Sequence, residues 1–276
     1  MGSRVAPETL KEMKGQAEPI AMLTCYDYPT ALLQDAVGVD VLLVGDSVGI
    51  NILGYEGPQQ VTMEDMLHHT RAARRGVCKA LLLSDLPYGS YDSPEDAVAN
   101  SMRLVDAGAE AVKLEGDVRV LKSISRIISR GIPVVGHLGH TPQTREGSRR
   151  VYGDRASEAI SLLEGSLALE KEGAFAIVLE CVPERIARMV TDRLSIPTVG
   201  IGSGRGCDGQ VLVSPDLLGL NDYTFRYSKT YADVSDSVTR AFSAYVSDVK
   251  TRQYPGKEHR YLIKTEELRK FEDLLK

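Results

Sequence analysis

Three features of the sequence predict an α/β fold, a closed (β/α)8 barrel of the TIM type. First, five apolar runs read as buried parallel strands: Val41-Leu42-Leu43-Val44, Leu81-Leu82-Leu83, Ala111-Val112, Val134-Val135 and Ile177-Val178-Leu179. Each delivers a polar or ionisable group at or near its carboxyl end, in turn Asp46, Asp85, Glu115, His137 and Glu180. Chemistry gathered on the carboxyl rim is the hallmark of such a barrel. Second, strand-like and helix-like segments alternate along all 276 residues, room enough for the roughly 250 a barrel of this kind occupies. Third, no Gly-x-Gly-x-x-Gly turn follows the first strand, as an open dinucleotide-binding sheet would require.

Taken in order, residues 9–15 form a short polar helix and Pro19 starts the first strand, Ile20–Thr24. A helix over 30–37 stops at Gly38, and the second strand leads into Asp46. Residues 49–57 are a loop too apolar for a plain turn, in the position of one that folds over a substrate. Thr62 caps the next helix, with Asp65 completing a capping box; Met63, Met66, Leu67 and Thr70 give its core face. His68 and His69 lie mid-helix, away from any strand end. Ser93-Pro94 opens a helix running through Val98, Met102 and Val105 to Gly108. Further helices span 118–130, 157–172 and 183–193, with strands between them and two more at 197–201 and 211–213. A helical tail from Asp233 ends the chain. Eight strand–helix units with no linker predict one domain over residues 1–276, a barrel with a helical carboxyl-terminal extension.

A net charge of -5 without a basic tract, and only 6% aromatic residues without tryptophan, argue against nucleic acid as a partner. Cys25, Cys78, Cys181 and Cys207 lack metal-ligand spacing and read as reduced thiols of a cytoplasmic protein. No apolar run approaches the roughly 20 residues of a membrane span.

Asp46, Asp85 and Glu115 come from adjacent strands. Three converging carboxylates repel one another unless a cation sits among them. An all-oxygen set without cysteine or histidine points to Mg²⁺, which takes one or two direct carboxylates and leaves positions for a bidentate 2-oxo acid. Lys113, two residues before Glu115 and on the same strand face, would offset this charge and face a substrate carboxylate or a developing oxyanion; its structural alternative is an ion pair with Glu115 or Asp85. Ser47 can hydrogen-bond a substrate carboxylate or cap its loop. His137 either orients substrate oxygens or packs as a satisfied histidine. Glu180, beside Leu179 and Val182 across the mouth, is set up as a general base unless an arginine such as Arg205 pairs with it.

With these residues placed, the chain resembles the ketopantoate hydroxymethyltransferase family over nearly its whole length. The resemblance rests on Thr24-Cys25-Tyr26-Asp27-Tyr28, Val44-Gly45-Asp46-Ser47-Val48-Gly49, Leu83-Ser84-Asp85-Leu86-Pro87 and Val112-Lys113-Leu114-Glu115-Gly116. It continues through Gly136-His137-Leu138-Gly139, Thr141-Pro142-Gln143, Leu179-Glu180-Cys181-Val182-Pro183 and Asp208-Gly209-Gln210-Val211. It implies a barrel of the phosphoenolpyruvate/pyruvate superfamily that binds Mg²⁺ through Asp46, Asp85 and Glu115. Ser47, Lys113, Asp46 and Asp85 would hold the oxo acid, and Glu180 would accept its proton. The implied reaction moves a one-carbon unit from 5,10-methylenetetrahydrofolate to 3-methyl-2-oxobutanoate through an enolate, giving 2-dehydropantoate for pantothenate and coenzyme A synthesis. Family members also form homo-oligomers.

The sequence departs from the family after Thr141-Pro142-Gln143, where residues 144–154 form a shorter and more basic loop. Arg149 and Arg150 in it are expected to meet the carboxylates of the folate tail, since guanidinium forks bind carboxylates in bidentate fashion. Two rivals remain: a Mg²⁺-dependent lyase or mutase acting on another 2-oxo acid, and a catalytically inactive metabolite-binding barrel. The Lys-x-Cys-Gly-His motif of the isocitrate lyase branch is absent, and an inactive site has no reason to keep mutually repelling carboxylates.

Overall fold

The computed structural model describes residues 4–143, 151–223 and 225–276. Eight parallel strands close a barrel in sequence order. They are β1 (Ile20–Thr24), β2 (Val41–Val44), β3 (Leu81–Asp85), β4 (Ala111–Glu115), β5 (Val134–Gly139), β6 (Ala176–Glu180), β7 (Thr198–Ile201) and β8 (Gly209–Leu212). β8 pairs back onto β1 and closes the ring. The helices are α1 (Pro7–Gly15), α2 (Tyr28–Ala36), α3 (Met63–Arg74), α4 (Pro94–Asp106), α5 (Leu121–Ile128), α6 (Ala156–Lys171), α7 (Glu184–Thr191), α8 (Ser214–Leu218), α9 (Val234–Lys250) and α10 (Thr265–Leu274).

The period-two alternation of the strands divides the apolar residues into two layers. Val41, Leu43, Leu81, Leu83, Val135 and Val178 fill the barrel. Leu42, Val44, Leu82, Val112, Leu114, Ile177 and Leu179 face the surrounding helices. α1 contributes Leu10 and Met13 to the inner layer. It is held at the amino-terminal ends of the strands: the Val5 amide donates to the Lys79 carbonyl just ahead of β3, and Lys14 pairs with Asp208 at 2.8 Å just ahead of β8. One end is thus plugged, and chemistry is confined to the other.

Local signals explain the helix starts. Thr62 and Asp65 form the expected capping box on α3, with reciprocal bonds of 2.9 and 3.2 Å, an arrangement worth about 1 kcal/mol. The Ser93 hydroxyl caps α4 by accepting from the Asp96 amide at 3.1 Å. His68 is exposed and His69 stands 2.7 Å from the Tyr26 carbonyl, so both are helix-surface histidines.

Four elements differ from expectation. α4 turns Ala97, Ser101 and Leu104 to the core, leaving Met102 and Val105 exposed; small residues permit close approach, and the Ser101 hydroxyl is satisfied by the Ala97 carbonyl. The 49–57 loop contains a π-helical turn, Gly49–Leu53, followed by a 3-10 turn at Pro58–Gln60. The helix expected over 118–130 begins as a 3-10 turn, Val118–Val120, before α5. Most consequentially, no helix joins β7 to β8. The strap between them lies against α7, where a Cβ on Gly204 would come within 2.4 Å of Glu184 and one on Gly206 within 2.7 Å of Arg188. With α8 only five residues long, Ala21 of β1 and Gln210 of β8 are exposed on the outer wall, and Leu23 and Leu212 are only half-buried.

Candidate active site

Strand register assembles the rim. Asp85 lies in register with Lys113, and Glu115 with His137. Lys113 Nζ consequently stands 3.1 Å from Asp85 Oδ1, and His137 Nδ1 3.0 Å from Glu115 Oε1. Gly139 pairs with Glu180, which brings Glu180 Oε2 to 3.3 Å from the other nitrogen of His137, Nε2. Asp46 and Ser47 come from the turn after β2. The Asp46 amide donates to Asp85 Oδ2 at 3.1 Å, and the Ser47 hydroxyl shares a 2.8 Å hydrogen bond with the Tyr26 phenol. Gly45 makes this turn possible, because a Cβ there would meet Ser47 Oγ at 2.9 Å.

All of the sequence-derived site residues within the described segments therefore gather at one mouth; Arg149 and Arg150 lie outside the described residues. Glu180 is joined to the carboxylate cluster through His137 rather than standing apart. Arg205 is not its partner: that side chain is exposed and sits 3.9 Å from Glu184. Of the two readings of Lys113, the structure shows the ion pair with Asp85, at the mouth of the barrel.

Sequence reasoning missed Gln143, Tyr91 and the role of Tyr26. Gln143 is the keystone of the cluster. Its side-chain amide donates to Asp46 Oδ2 at 2.7 Å and to the Leu86 carbonyl at 3.0 Å, and its backbone amide donates to Glu115 Oε2 at 3.1 Å. The Tyr91 phenol donates to its side-chain oxygen. The signal was available, since Gln143 closes the Thr141-Pro142-Gln143 motif just beyond β5.

Electrostatics follow from burial. Asp46 is pushed up to about 7, chiefly by desolvation, then by Asp85 and Glu115, against the opposing pull of Lys113 and Gln143. Asp85 is raised by burial despite Lys113. Burial works against the charge of Glu115 too, but His137 and Lys113 outweigh it and hold the group below its usual range. Burial and the Lys113 charge disfavour protonated His137, yet Glu115 and Glu180 more than compensate and lift it to about 9. Lys113 is held firmly protonated: burial opposes its charge, and Asp85, Glu115 and Asp46 overcome that opposition.

The donor set suits Mg²⁺. It consists of carboxylate oxygens, and one of them, the buried Asp85 Oδ1, accepts no aligned hydrogen bond. Among the described residues no three acidic, histidine or cysteine side chains are placed to hold a metal ion together, so an ion here would rest on fewer protein groups. An open site of one or two carboxylates completed by water and substrate is the habit of Mg²⁺ rather than of a caged ion. Burial and the neighbouring Asp85 and Glu115 disfavour the ionised form of Asp46, a cost that a cation there would relieve.

Residues 4–257 match the family model described as ketopantoate hydroxymethyltransferase. The chain is 48% identical over 259 residues to the 3-methyl-2-oxobutanoate hydroxymethyltransferase of Chloroflexus aurantiacus, covering 93% of this chain and 92% of that protein. To the enzyme of the same name from Syntrophus aciditrophicus it is 48% identical over 266 residues, with 95% and 98% coverage. Among solved structures, phosphoenolpyruvate phosphomutase from Streptomyces platensis subsp. rosaceus aligns with a TM-score of 0.62 at 14% identity, covering 98% of this chain and 97% of that one. A 2,3-dimethylmalate lyase of the PEP mutase/isocitrate lyase superfamily aligns at 0.58 and 14% identity, covering both chains fully. These structures share the barrel.

Proposed function

The chain belongs to the ketopantoate hydroxymethyltransferase family, and from that premise we propose how its rim residues carry out hydroxymethyl transfer to 3-methyl-2-oxobutanoate. The activity is that of its relatives; the donor, metal and residue roles are our reading. The donor is 5,10-methylenetetrahydrofolate and the product 2-dehydropantoate. Asp46 and Asp85, with Glu115 behind them, would hold Mg²⁺, which when bound supplies Lewis-acid polarisation of the oxo acid.

The remaining work falls to the chain's own side chains. Ser47, set by Tyr26, donates to the substrate carboxylate. Glu180 accepts the proton from C3. The Lys113 ammonium, fixed against Asp85, faces the negative charge that passes to the keto oxygen. His137, bridging Glu115 and Glu180, orients the base. Carbon C3 then bonds to the donor's methylene carbon, whose two bonds to the folate nitrogens break. Water supplies the hydroxyl of the product; its other proton and the one taken by Glu180 pass to those nitrogens, releasing tetrahydrofolate. Arg149 and Arg150 would meet the donor's carboxylate tail. The observation that carries this reading is the continuous buried array from Asp46 through Asp85 and Lys113, and from Glu115 through His137 to Glu180. Asp46→Ala and Asp85→Ala should each lower turnover at least about 100-fold while leaving the circular dichroism spectrum unchanged, as rim residues are not core. Near-normal turnover in either variant removes it from the metal site.

We also read residues 1–276 as one catalytic barrel with a helical extension, acting as a homo-oligomer. α9 carries Val238, Phe242, Tyr245, Val246 and Val249 exposed along one face, at the spacing of an amphipathic stripe. The wall of β1 and β8 meanwhile lacks a covering helix. An apolar helix without a sheet and a sheet wall without a helix, in one chain, favour a second copy as the partner. No described helix is long and apolar enough to cross a membrane. The four cysteines are unpaired, which supports a cytoplasmic setting.

A further inference from the structure

The carboxylates, Lys113 and His137 of the mouth come from β2 to β6 and the turn after β2. The remaining sector, from β7 through β8 to β1, offers Gly202, Ser203, Val213 and Cys25 instead. Over that sector runs the segment that follows α8, and its character is aromatic. The chain has 12 tyrosines and 4 phenylalanines, and three of these fall within five positions: Tyr223, Phe225 and Tyr227. Phe225 and Tyr227 stack with centroids 5.2 Å apart and planes 2° from parallel, and Tyr223 meets Phe225 edge-on at 5.4 Å.

The segment is tied at both sides of the mouth. The Asn221 amide donates to Asn51 Oδ1 at 2.8 Å, and Asn51 in turn donates to the Ser47 carbonyl at 2.8 Å. Asp216 accepts from Asn221 and from Ser228, at 2.5 and 3.3 Å. The Tyr227 ring is seated on Gly202, where a Cβ would come within 2.9 Å of it and within 3.4 Å of the Cys181 sulfur. The segment therefore runs from Asn221, tied through Asn51 to the Ser47 carbonyl, to Tyr227 on Gly202, beside Cys181, which follows Glu180.

We propose that Tyr223, Phe225 and Tyr227 form the platform on which the flat pterin ring of the folate donor docks. The proposal rests on the reading of Glu180 as the base at C3 and of a folate as donor. The carbon that loses its proton to Glu180 is the carbon that attacks the methylene group, so the donor ring must reach the mouth close to Glu180. The carboxylate side of the mouth is occupied by the oxo acid and its charges. A neutral heteroaromatic ring is best received by aromatic faces, whose stacking strengthens binding of a planar base by about tenfold or more per ring.

The test measures the affinity of tetrahydrofolate for the full-length, Mg²⁺-supplemented protein, and separately the exchange of the oxo acid's C3 proton with deuterated water, in which the donor takes no part. Phe225→Leu keeps bulk and loses the planar ring; Tyr223→Ala alters a ring that is 42% exposed and so threatens the fold less. Each should weaken tetrahydrofolate about tenfold or more while C3 exchange stays within about twofold, and Phe225→Tyr should bind as the parent does. Parent-like folate affinity in Phe225→Leu and Tyr223→Ala overturns the platform. A parallel loss of C3 exchange also overturns it, by assigning the rings to the oxo acid. A parent protein that exchanges the C3 proton yet binds no tetrahydrofolate overturns the donor reading instead.

Discussion

At the scale of single residues, the site is a problem of crowded charge. Asp46 keeps its proton to about pH 7 in the metal-free fold, against about 4 for an ordinary aspartate. The folded state thus binds that proton more tightly than the unfolded chain does. The stability from this group is complete below about pH 4 and is lost as pH rises towards 7. A cation that binds ionised Asp46 competes with the same proton. Mg²⁺ should therefore raise Tm more at about pH 8 than at about pH 5.5, each relative to protein with a chelator. Equal shifts at the two pH values would separate Asp46 from the metal. The residues of this cluster were legible in the sequence because each interrupts or ends an apolar strand, where a core residue is expected. Gln143 was marked only by its place in the Thr141-Pro142-Gln143 motif, since a polar loop residue breaks no periodicity, and the fold shows that it touches both Asp46 and Glu115.

Among elements, the pairing of β5 with β6 places Glu180, the proposed base. Gly139 has φ +100°, and a Cβ there would approach the Glu180 carbonyl oxygen to 2.2 Å and Val182 to 2.9 Å. The next amide, that of His140, donates to the same carbonyl at 2.8 Å. Backbone strain of this kind costs about 1–3 kcal/mol, so Gly139→Ala should lower Tm by about 2–10 °C. It should also slow C3 exchange by displacing Glu180, with Mg²⁺ affinity little changed. A variant with parent-like Tm and exchange would show that the β5–β6 register is not what places the base. The strands were readable from their apolar runs and prolines, and the capping boxes from Thr62 and Asp65. The core face of α4 was not, because Ala97 and Ser101 are buried for their small size while the larger Met102 is left outside.

For the whole molecule, closure in sequence order explains how residues as distant as 46 and 180 meet, and the inner and outer apolar layers explain why that geometry is rigid. What one chain leaves open is the wall of β1 and β8 and the stripe of α9. Replacing Phe242, 67% exposed, with aspartate should shift the protein to a smaller species in sedimentation without unfolding the barrel; an unchanged size would exclude α9 from the contact between copies. The barrel was legible because its rhythm runs the length of the chain, whereas the missing outer helix shows only when the strands are closed. The orientation of Glu180 towards C3 of an oxo acid held by the carboxylate cluster is the step on which the proposed function turns. It is tested most directly by incubating 3-methyl-2-oxobutanoate with Mg²⁺ and protein in deuterated water, without folate, and following the C3 proton by NMR. The parent should exchange it, and Glu180→Gln should bind the oxo acid yet exchange at least about 100-fold more slowly. Undiminished exchange in Glu180→Gln would contradict the account and move the proton acceptor to another group at the mouth.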